Sequence, residues 1–120
     1  MPKILLVEDN EMNRDMLSRR LQRQGMEVVI AVDGEQGVQL AQKEAPNLIL
    51  MDIGMPRMNG YDAARRIREQ PWGRAIMLVA LTGWGLEEDK RLAAEAGFDR
   101  HVVKPVEAST LREILASVVA

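Results

Sequence analysis

Short apolar runs alternate with amphipathic stretches along the whole chain, and this alternation restricts the fold more than any other feature. Leu17 and Leu21, four residues apart, give the first amphipathic stretch an apolar face, and Gly25 follows as a stop signal. Strands alternating with helices through short connections predict a parallel sheet covered by helices on both faces. The predicted strands are residues 4–7, 28–32, 48–51, 75–81 and 100–103, and the predicted helices are residues 11–24, 35–44, 61–69, 86–96 and 110–119.

The length limits the number and the kind of domains. A chain of 120 residues is expected to form a single domain over residues 1–120. Right-handed crossover connections leave few topologies for such an α/β chain. A closed eight-stranded barrel would need about twice the length. The sequence therefore predicts an open, doubly wound, five-stranded parallel sheet.

Composition and charge exclude several classes of function. The net charge of −2 provides no global positive field for nucleic acid or for an anionic membrane. The absence of cysteine excludes disulfides and Cys-type zinc sites, and the single histidine, His101, excludes a multi-histidine metal site. The apolar run at residues 75–81 is much shorter than a membrane span, and no signal-peptide pattern is present. We expect a cytoplasmic protein.

Polar residues follow four of the predicted strands, at the edge where such sheets bind ligands. Glu8 and Asp9 follow the first strand, Asp52 the third, Thr82 the fourth and Lys104 the fifth. Three neighbouring carboxylates would repel one another and raise their pKa values, and a hard cation would remove this repulsion. Oxygen ligands without Cys or His favour Mg²⁺ or a similar ion such as Mn²⁺. The Lys104 ammonium and the Thr82 hydroxyl would suit a phosphoryl group.

Each of these residues also has an ordinary structural interpretation. Their joint placement favours the functional interpretation, because the ordinary interpretation requires several independent explanations to hold at once. The ordinary explanations are a start or cap of the first helix for Glu8, Asp9 or Asn10, a turn at Asp52, a loop start at Thr82 and Gly83, and a solvated surface position for Lys104.

Six short motifs extend these positions to their neighbours. They are Val7-Glu8-Asp9-Asn10, Leu50-Met51-Asp52, Met55-Pro56 with Asn59-Gly60, Ala80-Leu81-Thr82, Ala96-Gly97-Phe98-Asp99 and Val103-Lys104-Pro105. In identity, order and spacing, the motifs closely resemble response-regulator receiver domains of two-component signalling. The resemblance covers essentially the whole chain from about Lys3. It implies the flavodoxin-like (βα)5 fold with strand order 2-1-3-4-5.

The resemblance implies that Asp52 is the phosphoacceptor. Its carboxylate would take a phosphoryl group from a phosphohistidine on a sensor histidine kinase or a histidine phosphotransfer protein, forming an aspartyl phosphate. Asp9, Asp52 and the backbone carbonyl of Gly54 would bind Mg²⁺ (or Mn²⁺) directly, and Glu8 would bind it through water. The chain would catalyse only its own phosphorylation and dephosphorylation, and we expect no external metabolite as substrate.

The resemblance also implies which residues respond to phosphorylation and which face then binds a partner. Lys104 and Thr82 would contact phosphoryl oxygens, Thr82 after moving inward, and the backbone N–H of Gly83 would be a further donor. Lys104-Pro105 is the candidate cis peptide. His101 occupies the position of the family's aromatic switch residue, and the alternative is a partly exposed histidine on an edge strand. A downstream protein would bind the face formed by the fourth helix, the fifth strand and the fifth helix, and the chain would be a monomer or a weak dimer.

Two positions bear on the lifetime of the modification. Gly54 lies two residues after Asp52, and Trp84 lies two residues after Thr82. In the family, these two positions control the access of water to the phosphoryl group. Glycine would leave one side open, whereas tryptophan would shield the other, so the two residues together give no net direction for the lifetime.

Three other functions compete with a receiver domain. A flavin- or nucleotide-binding protein of the same architecture would hold phosphate after the first strand, where Glu8 and Asp9 would repel it. A Mg²⁺-dependent phosphohydrolase working through an aspartyl phosphate would place a D-x-D pair there, whereas the presumed nucleophile, Asp52, follows the third strand. A receiver-like scaffold that cannot be phosphorylated is disfavoured because all five site positions hold competent residues.

Overall fold

The fold is a parallel sheet covered by helices, as the alternation of apolar runs predicts. The computed structural model describes residues 2–54, 59–83 and 87–119. Within these ranges the strands are all parallel and lie in the order β2-β1-β3-β4-β5. The predicted strand order is therefore confirmed. The strands are β1 (Lys3–Val7), β2 (Glu27–Ala31), β3 (Leu48–Asp52), β4 (Met77–Thr82) and β5 (Arg100–Val103).

Side-chain caps define where several of the helices begin. The Asn10 side chain accepts a hydrogen bond from the Asn13 backbone N–H at 3.0 Å, and Asn59 caps the third helix in the same way. The ordinary interpretation of Asn10 as a helix cap is therefore correct. The helices are α1 (Glu11–Arg23), α2 (Gly34–Glu44), α3 (Gly60–Glu69), α4 (Glu87–Ala96) and α5 (Ala108–Val119), and a short 3₁₀ helix, Pro71–Gly73, follows α3.

Three predicted boundaries differ from the structure for identifiable reasons. The second helix begins at Gly34 and not at residue 35, because Asp33 caps it by accepting a hydrogen bond from the Gln36 N–H at 2.8 Å. The fourth strand begins at Met77 and not at residue 75, because the carbonyls just before it accept hydrogen bonds from Arg68. The last helix begins before residue 110, since its backbone bonding starts at the Glu107 carbonyl.

The three central strands are buried on both faces and form the rigid base of the site. Alternate residues of β1 and β3 point to opposite sides of the sheet. Leu5 and Ile49 pack with α3, whereas Ile4 and Leu50 pack with α1 and α5. Because both faces are packed, the backbone that carries the last residue of each strand is held in place from two sides.

Arg68 ties together the edge of the fold that lies opposite the carboxyl ends of the strands. Its guanidinium donates to the carbonyl oxygens of Gly73 (2.8 Å), Ile76 (2.7 Å) and Gly97 (2.9 Å). It also pairs with the Asp99 carboxylate at 2.8 Å, and this carboxylate accepts the Leu78 N–H. One side chain therefore fixes α3, the start of β4, the end of α4 and the start of β5 relative to one another.

None of the helices in the described part of the chain is long and apolar enough to cross a membrane.

We predict that Arg68→Met lowers the free energy of unfolding by about 2–3 kcal/mol, because it removes several charge-assisted hydrogen bonds to buried carbonyls. Arg65→Met is the matched control, since Arg65 lies on the same helix and its pair with Asp62 is exposed. The control should lose less than about 0.5 kcal/mol. Urea unfolding of both variants measures the difference, and equal losses would contradict the role given to Arg68.

Candidate functional site

Three carboxylates meet at the carboxyl edge of the sheet. Glu8, Asp9 and Asp52 each offer an oxygen, and these oxygens lie within 4.8 Å of one another. The Glu8 side chain is completely buried, Asp52 is 7% exposed, and Asp9 is exposed to solvent. The structure therefore brings together the acids that follow the first and third predicted strands, with two of them largely removed from water.

The Lys104 ammonium lies against the two buried acids. Its Nζ is 3.1 Å from Asp52 Oδ2 and 3.5 Å from Glu8 Oε2. The Lys104 backbone N–H donates to the Thr82 carbonyl at 2.7 Å, which joins the ends of β4 and β5. The Lys104-Pro105 peptide bond is cis. This geometry places one positive charge beside two negative charges in a partly dehydrated site.

The pKa values of Glu8 and Lys104 reflect this imbalance of charge. Burial, followed by the charge of Asp52, raises the pKa of the Glu8 carboxyl above its ordinary value of 4.5. Burial opposes the charge on Lys104, but the attraction of Asp52 and Glu8 outweighs it and raises the pKa of the ammonium above 10.5. One lysine therefore does not fully compensate the acids, and hard oxygen donors with excess negative charge fit a divalent cation such as Mg²⁺.

The backbone after β3 holds the Asp52 carboxylate in position. The Gly54 N–H donates to Asp52 Oδ1 at 3.0 Å, while Oδ2 faces Lys104. At the start of α3, Gly60 approaches the same segment so closely that a Cβ there would lie 2.7 Å from the Asp52 carbonyl oxygen. A residue without a side chain is thus needed at position 60 for α3 to pack beside the Asp52 backbone.

A cleft of about 430 Å³ opens beside these groups. Thr82 is buried at the end of β4, and Gly83 is exposed, with open space where a Cβ would lie. Since a water occupies about 30 Å³ in the liquid, the cleft has room for a phosphoryl group together with several waters. The lining residues are Asp52, Ile53, Gly54, Tyr61, Thr82, Gly83, Asp89 and Lys104.

His101 lies on β5, opposite Ala80 of β4, and its side chain is half-buried. Its Nε2 atom is buried and has no hydrogen-bond partner among the described residues. Burial, assisted by the Lys90 charge and opposed by Asp89, lowers the pKa of His101 below 6.5. The imidazole is therefore mostly neutral at neutral pH. It lies outside the cleft that contains Asp52.

Three residues that line the cleft were not among the predicted site residues: Ile53, Tyr61 and Asp89. Ile53 directly follows β3, whereas Tyr61 and Asp89 lie in the first turn of a helix and follow a loop, not a strand. The sequence signal that could have found Tyr61 is its position directly after the Asn59-Gly60 helix start. Trp84, Met55, Pro56 and Leu86, to which the sequence analysis gave roles or boundaries, lie outside the described residues.

This fold and the acidic edge agree with comparisons to known proteins. The family model described as "Response regulator receiver domain" matches residues 4–116. The chain belongs to this family, so the resemblance inferred from the sequence motifs is confirmed, as is its assignment to two-component signalling.

Individual relatives support the same conclusion. Protein PilH of Pseudomonas aeruginosa is 34% identical over 120 residues, covering 100% of this chain and 99% of PilH. The receiver domain of sensor histidine kinase PA1611 from the same species, solved with a magnesium ion coordinated in its active site cleft, is 35% identical. The two structures superpose with a TM-score of 0.92 over 99% of this chain and 98% of that one.

A third relative was solved together with its signalling partner. It is the receiver domain of the response regulator Ssk1 in complex with the histidine phosphotransfer protein Ypd1 of Saccharomyces cerevisiae. It is 27% identical, with a TM-score of 0.90 over 96% of this chain and 86% of that one. Some other curated relatives are longer, and the chain spans 48% of one of them, a transcriptional regulatory protein from Streptomyces coelicolor.

We predict that Glu8→Gln stabilises the metal-free protein at pH 7, because it removes a buried carboxylate charge that the single Lys104 ammonium does not fully compensate. The folded pKa of Glu8 is raised, so the stability it contributes is complete below pH 4.5 and is lost as the pH rises through the folded value. The gain from the substitution should therefore shrink at pH 4. Urea unfolding in the presence of a chelator measures it.

Glu11→Gln is the matched control for this prediction, because Glu11 is an exposed acid in the first turn of α1. It should change stability little and without this pH dependence. A Glu8→Gln protein that unfolds at pH 7 at the same or a lower urea concentration than the wild type would show that the buried Glu8 charge is already compensated.

Proposed function

We propose that Asp52 accepts a phosphoryl group from a phosphohistidine in a Mg²⁺-dependent reaction, and that the modified chain changes its protein partners. The observation that carries the proposal is the placement of the Asp52 carboxylate. It lies in a cleft with room for a phosphoryl group, 3.1 Å from the Lys104 ammonium and next to two further acids. A nucleophile, a charge partner and cation ligands are thus gathered at one point.

The transfer uses groups that the structure brings together. An Asp52 carboxylate oxygen attacks the phosphorus while the phosphorus–nitrogen bond to the donor imidazole breaks. The imidazole leaves with the electron pair, and the product is an aspartyl phosphate. The Lys104 ammonium stabilises negative charge on a phosphoryl oxygen, and the Gly83 N–H and the Thr82 hydroxyl are further donors at the cleft.

The acids of the site would hold the cation. Asp9 and Asp52 would bind Mg²⁺ directly, Glu8 through water, and the Gly54 carbonyl would complete the protein ligands. A bound Mg²⁺ supplies neutralisation of charge on the phosphoryl oxygens. The fit rests on the three carboxylate oxygens within 4.8 Å of one another and on the raised pKa of Glu8. The magnesium ion in the PA1611 receiver domain supports the choice of metal.

The partners follow from the same chemistry. The phosphodonor would be a histidine kinase or a histidine phosphotransfer protein, and the Ypd1–Ssk1 complex supports this. No external metabolite is required, since the chain itself is phosphorylated and dephosphorylated. After phosphorylation Thr82 would move toward the phosphoryl group, and His101 would turn inward from β5. The face of α4, β5 and α5 would then bind a downstream protein.

We predict that incubation with acetyl phosphate and Mg²⁺ adds the mass of one phosphoryl group to the wild-type chain. Asp52→Asn should add none, because the amide cannot form the acyl phosphate. Asp62→Asn, which changes an exposed acid on α3, is the matched control and should react like the wild type. Intact-protein mass spectrometry reads the result. The proposal fails if the wild type stays unmodified, or if Asp52→Asn is modified as well.

We predict that Mg²⁺ raises the unfolding temperature and that Asp9→Asn abolishes most of this increase. At ten times the dissociation constant, binding should add about 1.4 kcal/mol to the free energy of unfolding. Asp15→Asn, an exposed acid on α1, is the control and should keep the full response. An equal Mg²⁺ response in the Asp9→Asn protein would remove Asp9 from the metal site.

A further inference from the structure

Tyr61 lines the cleft, and the proposed transfer does not use its hydroxyl. Tyr61 is the single tyrosine of the chain and lies in the first turn of α3. Its ring packs against the core on one face of the sheet, so the side chain is held in place. Its hydroxyl oxygen is buried and has no hydrogen-bond partner among the described residues. A buried polar atom without a partner costs about 1–3 kcal/mol, so the arrangement calls for an explanation.

We propose that the Tyr61 hydroxyl and the Asp89 carboxylate hold the water that hydrolyses the aspartyl phosphate, and that they thereby set the lifetime of the modification. The inference rests on the proposed function, because it needs a phosphoryl group on Asp52. Tyr61 and Asp89 are positioning residues, since they act on the reacting water and not on phosphorus.

The cleft provides a donor and an acceptor from two different helices. Tyr61 comes from the start of α3 and Asp89 from the first turn of α4, and both line the cavity that contains Asp52, Thr82 and Lys104. Asp89 is half-buried, so its carboxylate is partly withdrawn from bulk solvent. An ordered water needs at least two polar partners, and a hydroxyl donor with a carboxylate acceptor satisfies this requirement.

The charge around Tyr61 keeps its hydroxyl a donor. Burial, followed by the negative charges of Asp89 and Glu88, raises the pKa of the phenol above 10.0. The phenol is therefore protonated at neutral pH and can donate to a water. An ionised carboxylate such as that of Asp89 accepts hydrogen bonds and donates none. The two groups thus orient a water in one direction.

The hydrolysis balances without any further reactant. The water oxygen attacks phosphorus, and the bond between phosphorus and the Asp52 oxygen breaks. The Asp52 carboxylate leaves with the electron pair, and both protons of the water remain on the released inorganic phosphate. Holding the water in place removes part of the entropic barrier to the attack.

The test separates attack by water from binding of the phosphoryl group. The wild type, Tyr61→Phe, Asp89→Asn and Glu88→Gln are phosphorylated with acetyl phosphate and Mg²⁺ and desalted rapidly. The phosphorylated fraction is then followed by intact mass. The affinity for beryllofluoride, which mimics the bound phosphoryl group without an attacking water, is measured in parallel by Trp fluorescence. Tyr61→Phe keeps the ring and its packing, so the fold is retained.

We expect Tyr61→Phe and Asp89→Asn each to slow hydrolysis by about three- to tenfold. Both should keep a beryllofluoride affinity within about twofold of the wild type. Glu88→Gln removes an equal charge one residue away, outside the cleft lining, and should hydrolyse like the wild type.

Three results from the variants would overturn the inference. The first is hydrolysis by Tyr61→Phe at the wild-type rate. The second is a beryllofluoride affinity of Tyr61→Phe that falls in proportion to its hydrolysis rate, which would show that Tyr61 contacts the phosphoryl group itself. The third is hydrolysis by Glu88→Gln as slow as that by Asp89→Asn, which would show that the loss of any nearby negative charge has the same effect. A wild-type chain that takes up no phosphoryl group would overturn the proposed function together with this inference, whereas the other results leave that function intact.

Discussion

The site depends on a charge imbalance that the fold enforces. Two acids at the ends of adjacent strands, Glu8 and Asp52, are withdrawn from water and share one ammonium, that of Lys104. An isolated buried carboxylate would be too costly to keep ionised, and the raised pKa of Glu8 records this cost. A cation or a phosphoryl group that enters the site therefore changes the balance between the repulsion of Glu8 and Asp52 and their attraction to Lys104.

The rest of the molecule holds these charged residues in position. The central strands are packed on both faces, so the residues that end them cannot move apart to relieve repulsion. The close approach of Gly60 fixes the backbone around Asp52. At the far edge, Arg68 joins the elements whose other ends carry Thr82 and Lys104. The chemistry is thus carried by residues at or just after the carboxyl ends of these packed strands, among them Asp52 and Thr82.

The sequence alone predicted the strands and helices and the acids of the site, because apolar runs identify strands and parallel strands end at one edge. The order of the strands came from the resemblance, since periodicity alone leaves several topologies open. Tyr61 and Asp89 escaped because they begin helices, and their approach to the cleft depends on how α3 and α4 pack. The start of β4 was misplaced because the Arg68 guanidinium donates hydrogen bonds to the carbonyls just before the strand. The apolar pattern of the sequence does not show this contact.

The central claim is that Asp52, and no other acid of the cluster, receives the phosphoryl group. Reduction of an acyl phosphate with borohydride converts the aspartate that carries it to homoserine, which peptide mapping locates. After incubation with a phosphohistidine donor protein and Mg²⁺, the account predicts homoserine at position 52 alone. Homoserine at position 9, or none at position 52 in a chain that has gained a phosphoryl group, would contradict it.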